Sequence, residues 1–124
     1  MKKKILLVDD EVDMTSLFKS ILESAGFSVD TFNDSVNVLN NFKPHIYDLV
    51  ILDIVMPDID GFDLYKELKK QDPDVNACFL TASQKYHEDF RGREHRNLSQ
   101  DLFIEKPISI KDLIREIHER IGST

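Results

Sequence analysis

Five short runs rich in apolar residues, Lys4–Val8, Ser28–Phe32, Leu49–Leu52, Ala77–Leu80 and Leu102–Ile104, alternate along the chain with segments of helical periodicity. Runs of this length bounded by turn residues read as β-strands. Their alternation with amphipathic segments fits parallel strands, because a parallel pair needs a crossover connection and a tight hairpin cannot supply it. The crossover helices then cover both faces of one sheet, and right-handed connections leave few topologies. The first and third runs, "ILLV" and "LVIL", are almost uninterruptedly apolar, as central strands buried on both faces are. The expectation is therefore an α/β fold with a doubly wound, five-stranded parallel sheet. With 124 residues the chain has the length of one domain, assigned to residues 1–124.

The helical segments carry their own start and stop signals. In "DMTSLFKSILESAG" the residues Leu17, Phe18, Ile21, Leu22 and Ala25 are expected on one buried face, with Gly26 as the stop. "DSVNVLNNFK" has a cap candidate in Asp34 and a stop at Pro44. "DGFDLYKELKKQ" places Leu64, Tyr65 and Leu68 on one side and ends before Pro73. "SIKDLIREIHERIG" carries Ile110, Leu113, Ile114, Ile117 and Ile121 at helical spacing, with Ser109 as cap candidate and Gly122 past the end. Residues 82–100 are polar, with no clean apolar stripe, and read as a short helix or a connection.

A net charge of −7 argues against a general nucleic-acid binder, which needs a basic footprint. The single cysteine, Cys78, permits no internal disulfide and reads as a small core hydrophobe. In "MKKKILLVDDE" only Ile5 to Val8 are apolar before the acids begin, too few for a signal peptide or a membrane span. A cytoplasmic location without membrane contact is the expectation.

In a doubly wound sheet, ligands bind beyond the carboxyl ends of the strands. At those ends stand Asp9, Asp10 and Glu11 after the first run, Asp53 after the third, Thr81 after the fourth, and Glu105 and Lys106 after the fifth. Taken singly, an acid after a strand is usually a helix cap or turn residue, a threonine there usually satisfies backbone groups, and a lysine before proline is usually solvated. Taken together, these positions put three aspartates, a hydroxyl and an ammonium around one rim. Crowded carboxylates are costly unless a cation joins them. Carboxylate oxygens suit Mg²⁺, which takes one or two of them together with waters and a phosphate oxygen. Paired histidines or thiolates for zinc are missing, and so is a glycine-rich nucleotide loop. His45, His87, His95 and His118 are scattered and read as surface or packing residues. A carboxylate nucleophile, a metal and a lysine are the parts of phosphoryl transfer.

The segments "ILLVDDE", "LVILDIVMPDIDGFDL", "LTA" and "FIEKP", in this order and spacing, resemble the receiver domain of two-component response regulators over essentially the whole chain. The layout is similar to that of the single-domain chemotaxis regulators. The resemblance implies a flavodoxin-like strand order 2-1-3-4-5 with helices on both faces. It makes Asp53 both the phosphoacceptor and a metal ligand, and Asp9 and Asp10 the acidic pair that holds Mg²⁺, with Asp10 the preferred direct ligand and the Val55 backbone carbonyl a further one. It also makes Thr81 the switch hydroxyl, Lys106 the lysine that pairs with the phosphoryl group, and Phe103 the aromatic switch position. Pro57 and Gly61 would shape the loop after Asp53, and the Lys106–Pro107 bond would be cis. Val55 and Ser83 would flank the path of the water that removes the phosphoryl group.

The implied function is a signalling switch, phosphorylated by a histidine kinase or phosphotransfer protein. It would signal to a downstream protein target without binding nucleic acid directly, as a monomer or weak phosphorylation-dependent dimer. Two alternatives stand beside it. One is a constitutive pseudo-receiver that only binds partners. The other is a Mg²⁺-dependent phosphohydrolase with an aspartyl nucleophile; the haloacid-dehalogenase-like enzymes place a second Asp two residues after theirs, and Val55 stands there in this chain. Departures from the receiver pattern are "RNLSQDL" in place of a small-residue segment before the fifth run, and Ile108 in place of an aromatic. The mixed-charge segment 84–97 is expected to be either a solvated face or a partner surface that responds to phosphorylation.

Overall fold

Alternation within each strand sorts the core into two layers, because successive strand residues point to opposite faces. The computed structural model describes residues 2–54, 56, 58–81, 103–105 and 109–122, with the backbone alone at 81, 103–105 and 110. Its elements are β1 (Lys4–Val8), α1 (Val12–Ser24), β2 (Ser28–Phe32), α2 (Ser35–Asn41), β3 (Leu49–Asp53), α3 (Gly61–Gln71), β4 (Ala77–Thr81), β5 (Phe103–Glu105) and α4 (Ile110–Ile121). The parallel sheet runs β2-β1-β3-β4, and the short β5 pairs beyond β4.

On one face Ile5, Leu7, Leu49, Ile51, Cys78 and Leu80 pack with Phe18 and Leu22 of α1 and with Leu113 and Ile117 of α4. On the other, Leu6, Val8, Val50, Leu52 and Phe79 pack with Val38 of α2 and with Leu64 and Leu68 of α3. Helices thus lie on both faces, and all five residues of β3 are buried. Strand β2 forms one edge and carries Asp30 and Thr31, half-buried; a charged side chain on an edge discourages pairing with another chain. Among the described residues, no helix is long and apolar enough to cross a membrane.

The caps fall where the sequence signals them. Asp34 accepts from the Val36 and Asn37 amides, and the Ser109 hydroxyl accepts from the Asp112 amide. Gly26 and Gly122 both have positive φ just past their helices. One packing expectation is corrected. Leu17 is 55% exposed, whereas the buried stripe of α1 is Thr15, Phe18 and Leu22. At about 100° per residue, Leu17 lies roughly a third of a turn from the centre of that stripe. Segment 82–100 lies outside the described residues.

Cys78 is fully buried among apolar neighbours, as expected for a core hydrophobe. Burial pushes its thiol up from the ordinary 9.0 to about 12; nearby Arg120 opposes the shift and Glu116 adds to it. The unfolded thiol ionises near its ordinary value while the folded one keeps its proton. The contribution is therefore whole below pH 9 and is lost as pH rises from there towards 12, by on the order of 1.4 kcal/mol per pH unit. Burial and the Asp30 contact likewise raise the Tyr47 phenol, so alkaline destabilisation has more than one source. Urea unfolding of the native protein and of Cys78→Ala, compared from pH 8 to 11, should give a shallower loss of stability in the variant. Parallel pH profiles would show that the thiol contributes nothing.

Candidate functional site

Strand register brings the acids together. Leu7 pairs with Ile51 and Val8 with Leu52, so one further step sets Asp9 beside Asp53. Asp9 is fully buried and Asp53 is 6% exposed, while Asp10, the next residue of the loop, is exposed. Carboxylate oxygens of Asp9, Asp10 and Asp53 all lie within 4.8 Å of one another. At such a separation two negative charges repel by about 1 kcal/mol in water, and by about 3 kcal/mol at the effective dielectric of a protein surface. A hard divalent cation turns this repulsion into attraction, and a set of carboxylate oxygens fits Mg²⁺ in both charge and donor type.

The two loops that carry the acids are braced differently. In the β1–α1 loop, an Asp9 carboxylate oxygen accepts from the Glu11 amide at 3.0 Å, so the ordinary turn role of this acid holds alongside its place in the cluster. The Asp9 amide donates to the Phe32 carbonyl at 3.2 Å, which extends the β1–β2 pairing. The Asn33 side-chain amide donates to the Asp9 carbonyl and to the Thr15 hydroxyl, both at 2.8 Å. Neither Asn33 nor Thr15 stands out in the sequence. The signal that could have found them is an amide side chain just after β2, beside the loop after β1 once the strand order is known.

Beyond the end of β3, α3 starts at Gly61, and backbone bonds bring that start back against the strand end. The Ile54 amide donates to the Leu80 carbonyl at 3.2 Å, and the Gly61 amide donates to the Ile54 carbonyl at 2.9 Å. Gly61 sits directly against the backbone of Asp53, where a Cβ would lie 2.3 Å from the Asp53 carbonyl oxygen. Asp60 caps α3 by accepting from the Asp63 amide at 2.9 Å, and Asp58 takes a left-handed φ of 69° within the turn.

Thr81 closes β4 one step beyond Leu80, which pairs with Asp53, and its backbone pairs with Glu105. Phe103 lies in β5 opposite Phe79. The backbone alone is described at both positions. Val55, Ser83, Lys106 and the Lys106–Pro107 bond lie outside the described residues, as does the segment 84–97.

A second group lies beside the turn after α3. Buried Asp72 receives the His45 and Asp74 amides at 3.0 and 3.1 Å, and the His45 imidazole lies 3.2 Å from its carboxylate. Surface-exposed His45 thus ties the α2–β3 loop to the α3–β4 loop.

The sequence profile of the response regulator receiver domain matches residues 5–118. A probable transcriptional regulator, ycf27, from Guillardia theta is 38% identical over 99% of this chain and 47% of its own length. Response regulator SaeR from Staphylococcus aureus is 31% identical over 92% of this chain and 48% of its own. The chain therefore spans about half the length of these curated relatives. Among solved structures, the non-phosphorylated HemR receiver domain from Leptospira biflexa superposes with a TM-score of 0.84 at 32% identity, covering 99% of this chain and 97% of that one. A CheY-like response regulator receiver domain protein from Methanospirillum hungatei gives 0.79 at 26% identity, covering 98% and 94%. An α/β parallel sheet, an acidic cluster beyond its carboxyl ends and a profile match across nearly the whole chain lead to one family: this chain belongs to the response regulator receiver domains of two-component systems.

Proposed function

We propose that the chain is a phosphorylation-controlled switch that accepts a phosphoryl group on Asp53 from a histidine kinase or phosphotransfer protein and then changes its partner-binding face. The observation that carries this reading is the meeting of Asp9, Asp10 and Asp53 within 4.8 Å beyond the ends of β1 and β3. An Asp53 carboxylate oxygen attacks the phosphorus of a phosphohistidine; an O–P bond forms, the P–N bond breaks, and the imidazole leaves with the electron pair. Rigid placement is the main contribution of β3, since a fully buried strand cannot let its terminal carboxylate drift.

Asp9, Asp10, Asp53 and the Val55 carbonyl would hold Mg²⁺, with Asp10 as a direct ligand. A bound ion would supply positive charge to offset the negative charge of the phosphoryl oxygens. Lys106 pairs with the phosphoryl group, the Thr81 hydroxyl turns towards it, and Phe103 moves with that change. These roles belong to the complete five-stranded, flavodoxin-like sheet. Val55 and Ser83 flank the line along which water attacks the phosphorus; Val55 cannot hydrogen-bond that water, which favours a persistent signal. The output passes to a protein target.

A small phosphodonor such as acetyl phosphate tests the reading without a partner kinase. With Mg²⁺ the intact mass should rise by one phosphoryl group, and chelating the metal should abolish the gain. No labelling in the presence of Mg²⁺ would overturn the proposal.

A further inference from the structure

The acidic loop between β1 and α1 is short, carries Asp9, Asp10 and Glu11 in succession, and faces a further carboxylate in Asp53. Mutual repulsion tends to splay such a loop when no cation is present. It is held at both ends by one side chain. The Asn33 amide nitrogen spends one hydrogen on the backbone carbonyl of Asp9 and the other on the hydroxyl of Thr15, each at 2.8 Å. Thr15 is 1% exposed, and its hydroxyl donates in turn to the Val12 carbonyl at 3.0 Å, at the first turn of α1. Asn33 thus pins the peptide just before Asp10 and, through Thr15, the helix start just after Glu11. The loop between the two pins is the one that presents two of the three clustered carboxylates. Asn33 itself is half-buried and comes from a different crossover, immediately after β2.

We propose that Asn33 is a positioning residue for the acidic pair: by clamping both ends of the loop it sets how tightly Asp9 and Asp10 hold a divalent cation. This rests on the reading of the cluster as a Mg²⁺ site. A preformed site binds without first ordering its ligands, so the clamp acts on affinity for the ion and leaves the chemistry at Asp53 alone. Thr15 acts through the same clamp, so its loss and that of Asn33 are not independent.

The test is a calorimetric titration with Mg²⁺ alone, on the full chain without phosphodonor, for the native protein, Asn33→Leu, Thr15→Val and the double variant. Asn33→Leu is expected to weaken Mg²⁺ binding about tenfold, as for loss of hydrogen bonds worth a little over 1 kcal/mol. Thr15→Val should weaken it about threefold, and the double variant should match Asn33→Leu alone. Asn41→Ala, which removes an exposed amide bonded only within α2, should bind like the native protein. Should the leucine not fold, Asn33→Ala removes the same donors without added bulk.

A purely structural tie would lower the melting temperature of the metal-free protein and leave the Mg²⁺ dissociation constant where it was; that result overturns the inference. Multiplying effects in the double variant would equally overturn the shared clamp. If the native protein itself binds no Mg²⁺, the inference falls together with the functional reading beneath it. Native binding with unchanged binding in Asn33→Leu removes the inference alone.

Discussion

Replacing Gly61 by alanine is expected to lower stability by about 2 kcal/mol and to slow phosphorylation of Asp53 at least tenfold. In an ordinary helix the same change would stabilise, by up to about 1 kcal/mol. Here the added Cβ would sit 2.3 Å from the Asp53 carbonyl oxygen, 2.9 Å from the Ile54 Cα and 3.0 Å from the Asp53 carbonyl carbon. All three atoms are backbone, so no flexible side chain can swing aside. Either α3 retreats, with loss of the Gly61 amide bond to the Ile54 carbonyl, or the end of β3 moves and carries Asp53 out of the acidic cluster. Gly122→Ala is the matched control. It introduces a side chain at a φ of 78° and ψ of 179°, with nothing within 4 Å, so it should cost about 1–3 kcal/mol of backbone strain and leave labelling unchanged. Thermal melts together with the rate of labelling by a small phosphodonor measure both effects. A Gly61→Ala protein as stable and as reactive as the native one would refute the close-contact explanation.

Neutralising Asp10 should have opposite effects with and without metal. In metal-free buffer Asp10→Asn removes one of three mutually repelling charges, and because Asp10 is exposed the gain is on the order of 1 kcal/mol. That corresponds to about 4 °C in melting temperature for a domain of 124 residues. With millimolar Mg²⁺ the native protein gains stability as the logarithm of one plus the ratio of free ion to dissociation constant, and the variant, having lost a direct ligand, gains far less. The two melting temperatures should therefore cross as Mg²⁺ is added. Curves that stay parallel at all Mg²⁺ concentrations would show that Asp10 does not bind the ion.

The layered plan was legible because strand parity carries it. Ile5, Leu7 and Asp9 share one parity, as do Leu49, Ile51 and Asp53, so buried apolar positions lead directly to the two acids that stand side by side. Helix ends were legible where a side chain does the capping, as at Asp34 and Ser109. Strand ends were less so, because an apolar run marks burial whereas a strand is defined by backbone bonds. Strands β3 and β4 continue through Asp53 and Thr81, and β5 starts at Phe103 and ends at Glu105, one residue later at each end than the apolar run. Leu17 misled because hydrophobicity alone does not say which side of a helix meets the sheet. The Asn33 clamp was hidden for a different reason: its partners Asp9 and Thr15 lie 24 and 18 residues away, and only the β2–β1 pairing makes them neighbours. The group formed by His45, Asp72 and Asp74 was hidden in the same way, since it joins two loops that are distant in sequence.

The central claim is that Asp53 takes the phosphoryl group, and site-resolved mass spectrometry after labelling tests it most directly. Native protein incubated with acetyl phosphate and Mg²⁺ should carry one phosphoryl group, recovered on the peptide that contains Asp53. Asp53→Asn should remain unlabelled while still folding, as judged by circular dichroism. Stoichiometric labelling of Asp53→Asn, or recovery of the native label on any other residue, would contradict the account.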